Sequence, residues 1–165
     1  VSFSEQPFNR RFSSMGDEAE GVFEAVLPLG NAIRYGYRRP KGIKFSTFPE
    51  KLRHQPDFVT ATYLVEVMGL GRDGILKSMK VTKFNALKVW DKIARELGLL
   101  GVVLFVWNSS KKQFLVLSYK SIVKLVNASV KEYGVQRFEV DKVEYYRLDW
   151  EKLTAEATLI GAHDE

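Results

Sequence analysis

Apolar positions near the start of the chain recur at helical spacing: Met15, Ala19, Val22, Phe23 and Val26 form one stripe. A helix is predicted from Ser13 or Ser14, both good N-caps, to a stop before Pro28. Ala32 to Arg38 then alternates as a strand does, with Ile33, Tyr35 and Tyr37 on one side. From Arg39 to Gln55 the chain is basic and contains proline and glycine, which predicts a long loop with a short extended piece around Phe45 to Phe48. Asp57–Ala61 and Tyr63–Met68 are strand-like runs close enough to pair as a hairpin, and Gly69 to Gly74 is a turn region. A helix capped by Thr82 follows, with Ala86, Leu87, Trp90, Ile93, Ala94 and Leu97 on its buried face and Gly98 ending it.

Val102 to Trp107 is apolar without a break, as in a strand covered on both faces. Phe114 to Leu117 continues the sheet, a helix runs roughly from Ser121 to Tyr133 up to Gly134, and Phe138 to Trp150 reads as short strand and acidic turn. The natural packing of this order is an α/β fold, a mixed central sheet flanked by helices. With no repeat, low-complexity tract or Gly/Ser linker, residues 1–165 read as one domain.

Composition narrows the chemistry. With no cysteine among 165 residues, disulfides, thiolate metal sites and a cysteine nucleophile are excluded. Only His54 and His163 are present, without a Gly-x-Ser-x-Gly elbow or zinc spacing, which argues against a serine hydrolase and a zinc site. Gly69-Leu-Gly-Arg-Asp-Gly74 places its third glycine one position off the dinucleotide-loop pattern, and no Gly-Lys-Ser/Thr phosphate loop occurs. The longest near-continuous apolar run, Leu97 to Trp107, is too short for a bilayer span, and no hydrophobic signal core precedes Phe12, so a cytoplasmic setting is expected.

The net charge of +5 is unevenly spread. Seven Lys/Arg and one acid lie between Arg34 and His54, and seven bases against two acids between Arg72 and Arg95, whereas Glu139 to Glu165 holds eight acids and three bases. Such asymmetry fits a basic first half that faces a polyanion, or an ordinary solvated surface.

Glu66 stands out because the run around it, Tyr63-Leu-Val-Glu-Val-Met, otherwise belongs in a sheet core. An unpaired carboxylate there costs several kcal/mol or more, so it needs an ion-pair partner, a cation or a cleft. Asp57, after Pro56, opens the preceding strand, and a hairpin brings both carboxylates to one end of the sheet. On the first helix Glu20 and Glu18 flank opposite margins of the apolar stripe, and geometry alone does not choose between them. Gly16, one turn before Glu20, leaves room for close approach. Two oxygen ligands from adjacent strands and one from a helix suit Mg²⁺.

Gly16-Asp-Glu-Ala-Glu20, Pro56-Asp57 and Glu66-Val-Met68, on elements in this order, resemble the PD-(D/E)XK (restriction-endonuclease-like) nuclease superfamily. The Gly-x-x-x-Glu helix is similar to that of archaeal Holliday-junction resolvases. The resemblance covers about residues 13–107, leaving 108–165 as a C-terminal extension. It implies Asp57 and Glu66 as metal ligands, Glu20 as a helix carboxylate binding metal directly or through water, and Mg²⁺ as cofactor, with Mn²⁺ able to substitute. The family's lysine two residues after the Glu is Met68 here. Lys80 and then Lys77 are the expected replacements, with Lys83 a third choice.

Arg10, Arg11, Arg38, Arg39, Lys41, Arg53 and His54 are the expected nucleic-acid contacts, and Tyr35, Tyr37, Phe45 and Phe48 are candidates for stacking on bases. The resulting expectation is a metal-dependent DNA endonuclease hydrolysing phosphodiester bonds, with branched DNA such as a Holliday junction as a candidate substrate; a symmetric junction would suggest a homodimer, which no sequence feature establishes. The alternative is a catalytically degenerate DNA-binding or protein-interaction module of the same fold.

Overall fold

The computed structural model describes residues 8–36 and 43–164; for residues 8–14 and Phe45 only the backbone is described. Helix α1 (Phe8–Val26) leads to strand β1 (Ala32–Arg34), a 3-10 turn (Phe45–Thr47) and helix α2 (Glu50–Arg53). Strands β2 (Phe58–Thr60), β3 (Tyr63–Gly69) and β4 (Ile75–Leu76) precede helix α3 (Val81–Glu96). Then come β5 (Gly101–Asn108), β6 (Gln113–Ser118), α4 (Tyr119–Tyr133), β7 (Gln136–Arg137), β8 (Glu144–Tyr145), β9 (Leu148–Asp149), α5 (Trp150–Glu156) and β10 (Leu159–Ala162).

Six strands form one mixed sheet in the order β1-β2-β3-β5-β6-β10, parallel only between β3 and β5. Every residue of β5 is buried, as its unbroken apolar run predicts for a strand covered on both sides. Alternation along the strands divides the core. Val65, Val67, Val103 and Phe105 pack with Ala19, Val22 and Phe23 of α1. Leu64, Met68, Leu104 and Val106 join a cluster on the other face that includes Ala86, Leu87 and Trp90 of α3 and Ile122 and Val126 of α4. Both the α1 stripe and the β2–β3 hairpin therefore form as the periodicity predicts. Gly69 is needed where α1 crosses the end of β3, because a Cβ there would lie 2.8 Å from the Met15 carbonyl oxygen.

Several expectations need correction. Helix α1 begins at Phe8 rather than Ser13 or Ser14. The described part of β1 stops at Arg34; Tyr35 and Gly36 are irregular, and Tyr37 and Arg38 lie outside the described residues. The segment around Phe45 to Phe48 is a 3-10 turn rather than extended, and the short helix α2 follows it. Trp90 Nε1 donates to the Lys51 carbonyl at 3.1 Å and so ties α2 to α3, a long-range bond that local propensity does not reveal. The N-cap of α3 is Lys80, without a side-chain cap, and Thr82 lies inside the first turn. Leu97 is not on the buried face but at the C-cap, 61% exposed.

In the last third of the chain β6 continues the sheet as expected, and the part after Glu139 adds one more strand to it, β10. Strands β6 and β10 occupy its end, with Leu159 paired to Val116. Helix α5 and strand β10 were not expected from the acidic composition after Glu139. Among the described residues no helix is long and apolar enough to cross a membrane.

Candidate functional site

Asp57 sits where the β2–β3 ladder loosens. Its N–H donates to the Val65 carbonyl at 2.9 Å, and its carbonyl accepts from the Tyr35 N–H at 2.9 Å. The Val67 N–H, which would bond a strand carbonyl in a continuing ladder, donates instead to Asp57 Oδ2 at 2.8 Å. Gly36 allows the close approach of the β1 tail to this corner, since a Cβ there would lie 2.6 Å from the Pro56 carbonyl oxygen. The pairing of Phe58 with Val65 puts Asp57 level with Glu66 on the neighbouring strand.

Glu66 lies between Leu64 and Met68, so it points to the face covered by α3. It is 2% exposed. Lys83, on the first turn of α3, donates to Glu66 Oε1 at 2.8 Å, while Glu66 Oε2 is buried without a hydrogen-bond partner. Burial, together with the charge of Glu66, pushes the Asp57 carboxyl well above the usual carboxylate range. Burial also raises Glu66, against the pull of Lys83. Burial works against the Lys83 ammonium too, but the charges of Glu66 and Asp57 outweigh it and hold Lys83 above the ordinary lysine value. These three groups act as one electrostatic unit.

Of the three candidate lysines, the one that the structure bonds to Glu66 is Lys83, the third choice. Lys77 is engaged by Asp73 near the glycine turn. Lys80 precedes α3, pushed down to about 8 by burial and by neighbouring Lys83 and Arg53. The charge of Lys80 also reaches Glu66 and favours its carboxylate form, more weakly than that of Lys83. Met68, where the family pattern has its lysine, is 2% exposed and packed in the core beside Leu64 and Leu70. An ammonium arriving from α3 can reach Glu66 without a cation being threaded through that apolar layer.

The two helix carboxylates separate clearly. Glu18 Oε1 accepts from Trp107 Nε1 at 3.0 Å and Ser109 Oγ at 2.9 Å, and the Trp107 bond lowers its pKa. It joins α1 to the end of β5. Glu20 is close enough for its charge to raise both Asp57 and Glu66. Its Oε2 nevertheless accepts from Arg34 Nη2 at 2.6 Å, on the face where Arg34 lies over the Phe58 ring. Among the described residues no group of three or more His, Asp or Glu is gathered closely enough to hold a metal ion. The oxygen donors that fit a hard cation are therefore Asp57 and the unpartnered Oε2 of Glu66, and one or two carboxylates suffice for Mg²⁺, which keeps most of its water. A Cβ at Gly16 would meet nothing within 4 Å, so the space beside α1 one turn before Glu20 is open.

Of the expected nucleic-acid contacts, Arg53 is half-buried at the end of α2 and donates through Nε to the Phe48 carbonyl at 3.0 Å. His54 is not a surface ligand. It is 8% exposed, with Nε2 3.3 Å from Thr82 Oγ1, and burial with the charges of Lys83, Lys80, Arg53 and Lys51 pushes it down to about 3. Arg38, Arg39 and Lys41 lie outside the described residues, as do the side chains of Arg10 and Arg11. Tyr35 is half-buried and packs edge-on against Trp90, 5.8 Å between ring centres, whereas Phe48 is 45% exposed. Tyr37 and the Phe45 side chain are outside the described residues. The sequence reading missed Asp91, whose Oδ1 accepts from the Val102 N–H at 2.9 Å and whose Oδ2 accepts from Arg95. It pins α3 to the start of β5. Lys51, counted only as part of a basic run, also proves to be a neighbour of His54.

In comparisons with known proteins, no protein-family model, curated protein or solved structure matches this chain.

Proposed function

We propose that this chain is a metal-dependent DNA endonuclease, built on a restriction-endonuclease-like core, that hydrolyses phosphodiester bonds. The observation that carries this reading is the buried Glu66 carboxylate, with one oxygen on Lys83, the other without a partner, and Asp57 beside it. An ion pair with a purely structural purpose has no need of a second buried acid. Adding Asp57 raises the cost of the site at neutral pH, and proteins retain such arrangements where the groups act on something.

Asp57 and Glu66 would hold the divalent cation; Val67 N–H orients the Asp57 carboxylate, and Lys83 orients Glu66 so that Oε2 is left for a ligand. A bound Mg²⁺ would polarise the scissile phosphate and lower the pKa of the attacking water. Lys83 supplies the fixed positive charge that the family pattern places two residues after the Glu, beside the negative charge that develops on the phosphate. The basic residues of α2 and of the approach to α3 supply phosphate affinity. Branched DNA is the expected substrate on the resemblance of the α1 motif alone.

A second reading, a binding module that no longer cuts, draws on the engagement of Glu20 by Arg34 and the presence of Met68. Incubation of labelled duplex, single-stranded and four-way-junction DNA with and without Mg²⁺ separates the two. The nuclease reading expects Mg²⁺-dependent cleavage, lost in Asp57→Asn and in Glu66→Gln. Salt-sensitive binding without any cleavage would select the second reading, and cleavage unchanged in both variants would falsify the site assignment.

A further inference from the structure

Apart from the carboxylate site, a cleft of about 590 Å³ opens where the parallel strands end, lined by the glycine turn after β3, Asn108 at the end of β5, the β5–β6 turn and the start of α5. Asn108 is 4% exposed. Its Oδ1 accepts from the Ser110 and Lys111 N–H groups at 3.1 and 3.2 Å. Those bonds fix the orientation of the amide and leave Nδ2, a double donor, without a partner among the described residues. Arg72 and Lys111, on the two turns, are exposed, and neither has an acidic partner among the described residues. The acids of the cleft are mostly engaged. Asp73 is held by Lys77 and by the Ile75 N–H, and Asp149 by Arg147 Nε at 3.1 Å and the Tyr133 hydroxyl at 2.7 Å. Glu151 is the exception, a single exposed carboxylate against two free cations. The Tyr133 ring already carries the Arg147 guanidinium at 4.4 Å and the Lys152 ammonium at 5.2 Å, and Trp150 is buried. The cleft thus offers donors and positive charge but no bare aromatic face, which suits a phosphate rather than a base.

We propose that Arg72, Asn108 and Lys111 form a subsite in this cleft for a backbone phosphate of the nucleic acid, separate from the phosphate at Asp57 and Glu66. Glu66 is level with Leu104 on β5, and Asn108 lies on the same face of that strand four residues further along. At about 3.3 Å per residue the separation is roughly 13 Å, close to four steps of a duplex strand. The subsite therefore grips the strand away from the reacting phosphate and sets its register on the carboxylates. The inference rests on the reading of the chain as a protein that acts on DNA.

Equilibrium binding of a short fluorescent DNA duplex in EDTA, across a series of salt concentrations, tests the subsite without cleavage. Arg72→Gln and Lys111→Gln are each expected to weaken binding about fivefold at low salt and to reduce the salt slope by roughly 0.9, as for one lost phosphate contact. Asn108→Asp keeps the acceptor for both turn N–H groups but puts a negative charge in place of the donor, and is expected to weaken binding at least as much. Lys112→Gln, next to Lys111 but outside the lining of the cleft, leaves affinity and slope unchanged. By NMR, the Asn108 side-chain amide signal is expected to move on addition of the duplex. Wild-type affinity and slope in both Arg72→Gln and Lys111→Gln would overturn the proposal, and so would an equal loss in Lys112→Gln, which marks general surface charge. A response of the Asn108 amide to inorganic phosphate, with DNA binding unchanged in the variants, would mark a site for the free ion and overturn it as well. Weakened binding in the variants of a protein that does not cut in Mg²⁺ supports the subsite while the hydrolysis reading fails, so the two failures are distinguished.

Discussion

Lys83 Nζ lies 2.8 Å from Glu66 Oε1, although the two residues are 17 positions apart and belong to a helix and a central strand. Removal of the lysine strands a carboxylate that is 2% exposed. Lys83→Met is expected to lower unfolding stability by about 3–5 kcal/mol, because the remaining charge is buried without compensation. Lys83→Met with Glu66→Gln should recover most of that loss while cleavage stays absent. Urea unfolding of the single and double variants reads the stability, and an undiminished midpoint in Lys83→Met would contradict the pairing.

Asp57 carries the opposite expectation. Its folded-state pKa is raised, so its favourable contribution is present below the ordinary carboxylate pKa and is lost as pH rises through the folded value. At neutral pH, above the ordinary carboxylate value, the group is therefore a cost. Asn keeps an oxygen for the Val67 N–H, so Asp57→Asn should stabilise the protein at pH 7 by about 1 kcal/mol, or roughly 2–4 °C in Tm. The gain should shrink toward pH 4. Thermal melts at the two pH values check the sign, and the same variant should lose the upward Tm shift that Mn²⁺ gives the wild type.

His54 sets an acid limit. Burial and four neighbouring cations hold it down to about 3, so its contribution is fully present above the ordinary histidine value and is lost as pH falls toward 3. Between about pH 6 and pH 4 this single group should reduce stability by roughly 1.4 kcal/mol per pH unit. His54→Gln should flatten that part of the profile. NMR titration is expected to find the His54 ring still neutral at pH 5, and a midpoint near the ordinary value would refute the burial argument.

The Arg34–Glu20 pair is partly exposed, with both side chains about a quarter accessible, and contributes at most about 1 kcal/mol. Arg34→Gln should therefore leave stability nearly unchanged while freeing the Glu20 carboxylate. Mn²⁺ affinity by titration calorimetry is expected to rise severalfold, because the charge of Glu20, which already reaches Asp57 and Glu66, is then no longer answered by Arg34. Unchanged affinity would assign Glu20 to structure alone.

The sequence by itself determined the periodic elements and the anomaly within them. The stripe on α1, the β2–β3 hairpin, the doubly buried β5 and the face of α3 follow from burial alone, since local spacing decides which side chains can leave water together. The same logic singled out Glu66, a charge in an otherwise apolar strand. Which cation answers it was a tertiary matter. Lys77, Lys80 and Lys83 are alike in composition and differ only in the direction of their side chains once α3 packs on the sheet. Glu18 and Glu20 likewise flank the stripe symmetrically until Trp107 and Ser109 take the one and Arg34 the other. Helix α5 and strand β10 escaped because short elements near acidic turns draw their stability from packing on a sheet that already exists, and not from their own propensity.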